Sequence, residues 1–304
     1  MRRYLLPAAL VLLGLIWGSS FLWIKIAIGE IPPATLVAWR MTLGAAGMLA
    51  FLLAVRRRLP SSRAALAKLA LLGLINTALP IFLISWGEQF IDSGTAAVFN
   101  SLMPLFSLLL AGVVLKVEPV SALRVTGVAI GFGGAVLLAS RELALRADPS
   151  ALIGTLAVAV AAASYAAGGS YARHSMRGMH RYEVAAGSLV FATIYAWILA
   201  LVADGGIILP TQPGPIIAVL WLGLIGSFIA YLLYFLLIER LGATVAGMVT
   251  YMFPVVGVAL GVIFLGELLD WRLAAGTGLV VAGIVVVTLR YDARVRSTAG
   301  RGAE

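Results

Sequence analysis

Three prolines, Pro80, Pro104 and Pro254, stand in the middle of long apolar runs, and each follows a polar residue by four positions: Asn76, Asn100 and Thr250. In a helix a proline lacks the N–H that would meet the carbonyl four residues earlier. The pattern predicts three spots where a bare carbonyl and a side-chain amide or hydroxyl could hold a polar solute, with each proline a candidate hinge. A simple kink, repaired by neighbouring groups, is the alternative. Trp17, Phe21 and Lys25 recur at i, i+4 and i+8 and share one helix face. They read as an aromatic wall leading to a cation, or as packing with Lys25 reaching for a headgroup. Arg40 lies about 10 Å down its helix at 1.5 Å per residue. A cation at that depth must face protein or water, so it is a candidate for a solute carboxylate or a structural counter-ion. Ser164, Tyr165, Tyr231 and Tyr251 add hydroxyl handles at middle depth, suited to a ligand both apolar and polar.

This is chemistry for binding, not for making or breaking bonds. There are no cysteines, and both histidines, His174 and His180, fall in one short connection. No metal cluster, Walker-type glycine loop or Ser-His-Asp set occurs at span depth, so no metal, cofactor or catalytic residue is expected, nor an enzyme. All the acids lie at predicted helix ends or in loops. Proton relays use titratable groups inside spans, so facilitated diffusion or exchange is the expected mode.

The elements that position these residues must be membrane helices. The chain of 304 residues is 62% hydrophobic and 12% charged, with a mean hydropathy of +1.05. Soluble domains hold about 45–50% apolar and 25% charged residues. Ten segments are long and apolar enough to span: 5–28, 32–55, 66–90, 93–115, 120–139, 151–172, 183–203, 215–238, 243–265 and 271–290. The first is too long for the apolar region of a signal peptide and is kept as a helix. The +9 net charge sits in short clusters between spans, which argues against nucleic acid. With the N-terminus inside, seventeen of the 22 Lys and Arg residues face the cytoplasm, Arg141, Arg146 and Arg272 face out, and Lys25 and Arg40 fall within spans. Both termini are then cytoplasmic, in a multi-pass protein of a bacterial-type inner membrane.

The chain also repeats itself. Leu72-Gly73-Leu74-Ile75 recurs as Leu222-Gly223-Leu224-Ile225, Ala96 as Ala246 and Pro104 as Pro254, each 150 residues on. Glu118, Gly127 and Gly134 recur as Glu267, Gly276 and Gly283, 149 residues on. Five spans per copy is odd, so the copies enter the bilayer from opposite sides. The expected fold is all-α: ten transmembrane helices as two inverted five-helix repeats, 1–145 and 146–290, with a disordered cytoplasmic tail at 291–304. Inverted repeats place a solute site near midplane between the halves.

The residues Trp17-Gly18-Ser19-Ser20-Phe21, Lys25, Pro32-Pro33 and Arg40, with Pro104 before Glu118 and Pro254 before Gly266-Glu267, resemble the EamA-type branch of the drug/metabolite transporter superfamily. Lys116-Val117-Glu118 departs from the usual Gly-Glu. The similarity covers residues 5–290 and extends to the aromatic amino-acid exporters of that branch. It implies a secondary transporter of small organic metabolites, amino acids including aromatic ones, working by alternating access. Drug or quaternary-ammonium efflux is the alternative within that class; a receptor or scaffold without flux is the alternative outside it. The partners implied are a small-molecule solute and the lipid bilayer, with a monomer as the working form.

Overall fold

Helix starts follow from local chemistry. Pro33 opens its helix where no N–H partner is needed, while the hydroxyls of Ser62 and Ser121 accept from the backbone N–H groups of Ala65 at 3.2 Å and Arg124 at 3.4 Å. Gly266, at φ +68°, ends another helix in the left-handed region that glycine tolerates. The computed structural model describes residues 2–115, 121–241 and 246–301, and among them all regular structure is helical. In order these are α1 (Arg2–Gly18), α2 (Ser20–Ala27), α3 (Pro33–Ala54), α4 (Arg63–Gly73), α5 (Leu79–Gly87), α6 (Ser93–Asn100) and α7 (Met103–Leu109). There follow α8 (Ala122–Arg146), α9 (Ser150–Ser175), α10 (Arg181–Ala203), α11 (Pro213–Leu220), α12 (Ala230–Leu241), α13 (Met252–Leu265) and α14 (Trp271–Arg301). Glu118 and Lys116 lie outside the described residues.

Several helices join end to end into longer runs. Among the described residues, nine single or joined helices are long and apolar enough to cross a membrane, and Trp271–Val287 forms a shorter apolar helix. The helical path of α14 continues to Arg301, past residue 290 where the sequence reading begins a tail; between residues 290 and 300 no glycine or proline stands to interrupt it.

The predicted proline sites coincide with irregular backbone. A π-helical segment, Leu74–Ala78, leads into Pro80; a break at Ser101 and Leu102 precedes Pro104; a 3₁₀ turn, Met248–Tyr251, precedes Pro254. Of two further π segments, Leu110–Val114 follows α7, and Trp221–Ile229 joins α11 to α12, at the place in the second half that Leu74–Ala78 holds in the first. α1 breaks at Ser19, where the hydroxyls of Ser19 and Ser20 both donate back to the Ile16 carbonyl, at 2.9 and 3.4 Å.

Packing joins the two halves throughout. α3 lies along α10, α6 along α13 and α8 along α14. α1 packs on α13 as α9 packs on α6 and α7, and α3 meets the Trp221–Ile229 segment as α10 meets the Leu74–Ala78 segment. The α8–α14 contact is a close one: a Cβ added at Gly283 would lie 2.6 Å from both the Gly127 carbonyl and the Gly131 nitrogen. Small residues let backbones approach this closely in lipid, where burial from water contributes nothing between helices.

Candidate functional site

The π segments are the starting point, because their bonding leaves carbonyls turned away from the helix axis. Trp17, at the end of α1, donates its indole N–H to the Gly226 carbonyl of Trp221–Ile229 at 3.1 Å. Ser164, on α9, donates its hydroxyl to the Ile75 carbonyl of Leu74–Ala78 at 2.6 Å. The first helix of each half thus satisfies the loosened third helix of the other.

Around Trp17 gathers an aromatic cluster. Its ring lies 5.2 Å from Tyr234, 6.3 Å from Tyr231 and 6.4 Å from Phe253, and Phe21 stands 6.2 Å from Phe253. Edge-on and tilted contacts at these spacings are the favoured ones. Close by, the buried Arg40 donates from Nε to the Ser227 hydroxyl at 3.1 Å, and Ser227 donates on to the Leu222 carbonyl at 3.0 Å. Gly226 leaves room beside the guanidinium: a Cβ there would sit 3.8 Å from Nη2. Tyr165 and Tyr231 lie near Arg40. The structure therefore brings Trp17, Phe21, Arg40, Tyr165 and Tyr231 into one neighbourhood. Phe253, Tyr234 and Ser227 join them, unsignalled by any local motif.

The remaining candidates sit apart or are tied locally. Asn76 packs on Gly168, where an added Cβ would lie 2.5 Å from its Oδ1. Asn100 is buried and its Oδ1 has no hydrogen-bond partner. Thr250 donates its hydroxyl to the Gly247 carbonyl at 3.0 Å within its own turn. Tyr251 lines a small crevice with Val281 and Ile284 of α14. A larger furrow, about 340 Å³, opens between α3, α5 and α10, but its lining of Ala34, Val37, Ala78, Phe82 and Leu199 offers almost nothing to orient a solute.

One end of the bundle carries a dense charged network. Arg141, 1% exposed, donates to Glu142 at 2.7 Å, Asp270 at 2.8 Å, Asp92 at 3.0 Å and the Leu268 carbonyl at 2.5 Å. Arg146 reaches Asp92 at 3.0 Å and Glu142 at 3.5 Å, and the Thr95 hydroxyl donates to Glu142 at 2.6 Å. Three carboxylates cap helix starts, where N–H groups lack internal partners. Glu267 accepts from Ser93 and Gly94 of α6 at 2.6 and 2.9 Å, Asp204 from Thr35 of α3 at 2.8 Å, and Glu30 from Thr211 at 2.7 Å just ahead of α11.

Here the sequence reading needs a correction. Glu88 and Glu142 do lie at or near helix ends, yet both are fully buried, because neighbouring helices close over those ends. Neither oxygen of Glu88 has a hydrogen-bond partner. Nor does Lys25 reach outward: its amine donates to the carbonyls of Glu88 and Ile91, the latter at 2.8 Å.

A helical membrane bundle with an aromatic interior gathered around a buried arginine is the build of a solute carrier. The model of the EamA-like transporter family matches residues 6–140 and again 152–289, and the chain belongs to that family. It is a multi-pass membrane transporter. Among its relatives is the uncharacterized inner membrane transporter YedA of Escherichia coli K12, 32% identical over 292 residues, 94% of this chain and 92% of that one. A probable terminal-alkyne amino-acid exporter of Streptantibioticus cattleyicolor is 29% identical over 304 residues, 96% and 97% of the two chains. A solved crystal structure superposes with a TM-score of 0.65 at 23% identity over 93% of this chain and 96% of that one, a likeness of fold.

Proposed function

We propose that this transporter carries small organic metabolites, amino acids including aromatic ones, by alternating access between two inverted five-helix halves, 1–145 and 146–290. The observation that carries the reading is Arg40. It is a buried guanidinium with a single side-chain bond, to Ser227, set among Trp17, Phe21, Tyr165 and Tyr231. A solute with a carboxylate and an apolar or aromatic body matches that set: the fork of Arg40 takes the carboxylate and the rings take the body. The printed name of the Streptantibioticus relative points the same way. Efflux of quaternary ammonium would suit the rings but would set its charge against Arg40.

The inverted repeat draws support from the twofold match of one family model and from contacts that pair each half with its counterpart. Five crossings per copy would turn the second copy upside down, with both termini on the cytoplasmic side as the Lys and Arg distribution requires. Asn76/Pro80, Asn100/Pro104 and Thr250/Pro254 are then the places where the helices flex. Ser164 and Tyr251 belong to the same proposed cavity walls in its other conformations.

Counterflow in proteoliposomes loaded with labelled phenylalanine tests the reading. Wild-type protein should exchange it. Arg40→Gln should raise the apparent KM by about 10–100-fold, since a charge-assisted hydrogen bond contributes about 1.5–3 kcal/mol. Trp17→Ala and Asn100→Ala should reduce flux as well. Unchanged flux in all three variants removes the proposed site; no exchange of any amino acid by wild type removes the substrate class.

A further inference from the structure

The 150-residue offset that sets Leu72–Ile75 on Leu222–Ile225 carries on to set Thr77 on Ser227, one hydroxyl in each of the two corresponding π segments. Both side chains are buried. The helices lying on them correspond as well. The Arg40 carbonyl of α3 is 3.3 Å from where a Cβ at Gly223 would stand, and the Ser188 carbonyl of α10 is 2.6 Å from the one at Gly73. Arg40 and Ser188 therefore hold matching places, yet they treat the two hydroxyls differently. Arg40 donates from Nε to Ser227 at 3.1 Å. Ser188 turns its hydroxyl back to the Ala185 carbonyl of its own helix at 3.0 Å. Thr77, 0% exposed, is left with no hydrogen-bond partner for its Oγ1. Tyr231, from α12, lies near both Thr77 and Arg40 without completing a hydrogen bond to the threonine.

An enclosed hydroxyl without a partner has lost the hydrogen bonds that water gave it. Its surroundings say what would replace them. The oxygen of Thr77 can accept, and the Tyr231 ring beside it stands 6.3 Å from Trp17; the faces of such rings attract a cation. Arg40, bonded to Ser227 through Nε, has its remaining N–H groups to offer to an anion. The cluster thus sets a donor fork against one π segment and a bare acceptor among rings in the other. A solute that fits both poles carries a carboxylate and an ammonium a few bonds apart, as an α-amino acid does.

We infer that Thr77 receives the ammonium group of the solute and thereby selects amino acids over carboxylic acids of the same shape. The inference rests on the amino-acid reading above and deepens it. The ammonium N–H donates to Thr77 Oγ1, the carboxylate accepts from Arg40, and the apolar body lies against Trp17 and Phe21. The second half has no guanidinium at the place of Ser188, and the solute's own cation supplies the donor that is missing there. A carboxylic acid without the amine satisfies Arg40 but leaves Thr77 bare. A quaternary ammonium has no N–H to give.

The full chain in proteoliposomes tests this, with exchange of labelled phenylalanine inhibited either by unlabelled phenylalanine or by 3-phenylpropionate, which lacks the amine. Wild type should prefer phenylalanine by about 10–100-fold, the contribution of one hydrogen bond to a charged group. Thr77→Val, which keeps the shape and loses the hydroxyl, should abolish that preference by weakening phenylalanine alone. Thr77→Ser should retain it. Because the hydroxyl has no bond to lose, Thr77→Val should also unfold in micelles at the wild-type temperature or above. A preference that survives Thr77→Val overturns the inference. So does equal weakening of both inhibitors, or a destabilised Thr77→Val, since either assigns the hydroxyl to the fold. If wild type exchanges phenylalanine without preferring it to 3-phenylpropionate, the Thr77 assignment falls and the Arg40 site stands. If wild type exchanges no amino acid, the amino-acid reading falls and takes this inference with it.

Discussion

Arg141 offers a direct measure of how firmly the charged end is held. Its guanidinium is 1% exposed and serves three carboxylates and one carbonyl at 2.5–3.0 Å. Arg141→Met keeps much of the apolar stem and strips the cation. Asp270, 33% exposed, then finds water, and Asp92 retains Arg146 at 3.0 Å. Glu142, 0% exposed, keeps the Thr95 hydroxyl at 2.6 Å, the Asp92 backbone N–H at 3.4 Å and Arg146 at a long 3.5 Å. Removing one partner of a buried pair costs about 3–5 kcal/mol, and these three residual contacts place the loss at the low end, about 3 kcal/mol, or about two decades in the unfolding equilibrium at 1.4 kcal/mol per decade. Adding Glu142→Gln removes the orphaned charge and should restore all but about 1 kcal/mol, because a pair removed from both sides is often nearly neutral. Reversible unfolding in mixed micelles, followed by the fluorescence of the seven tryptophans, reads both values. A single variant costing under about 1 kcal/mol, or a double variant worse than the sum of its singles, would refute the claim that uncompensated burial sets the cost.

Gly283→Ala puts a Cβ 2.6 Å from backbone atoms of Gly127 and Gly131, which cannot yield without parting α8 from α14; about 1–3 kcal/mol should be lost in the same unfolding assay. Gly278→Ala, on the same helix with open space at its Cβ, is the control and should be neutral. Glu30 gives a pH dependence whose sign is fixed. The Thr211 hydroxyl first, then the backbone N–H groups of Thr211 and Gln212, hold its carboxyl below the usual range. Its contribution is therefore present above the ordinary carboxylate value, about 4.3, and fades as pH falls through the depressed one. Hydrogen-exchange protection at Thr211 and Gln212 should hold at neutral pH, drop in acid for wild type, and be low at every pH for Glu30→Ala; acid-resistant protection would show that the loop is held by other means.

What was legible in the sequence is what depends on residues near each other along the chain. Apolar run length marked the spans, and the proline-to-carbonyl rule marked Pro80, Pro104 and Pro254, each of which meets irregular backbone. Depth along a helix was enough to single out Trp17 and Arg40. Their partners were not legible. Ser227 and Gly226 approach them across some 190–210 positions of chain, and nothing local distinguishes Phe253 from any other apolar residue of α13. Glu88 shows the limit most clearly. Its sequence position says helix end, and a helix end ordinarily meets water. Whether another helix covers that end is a property of the bundle, so a residue read as lying at a helix end proves to be among the most enclosed.

The two ends of the bundle are closed by unlike means, and that difference bears on how a carrier of this build would work. Opposite the charged network, the described side chains offer Arg57–Glu183 across the halves at 3.1 Å, with Arg57 44% exposed. Exposed pairs contribute about 0–1 kcal/mol each and are screened by salt. Parting the halves there breaks little. Parting them at the other end separates Arg141 from Asp270 and Glu267 from the start of α6, contacts that lie largely out of water. A solute at Arg40 lies near this stronger closure, since Arg40 and Glu88 already act on each other's charge. In the proposed cycle the weak end opens by thermal motion alone. The strong end opens only when a change of charge beside it, at Arg40 by a bound carboxylate, offsets the contacts that must be broken.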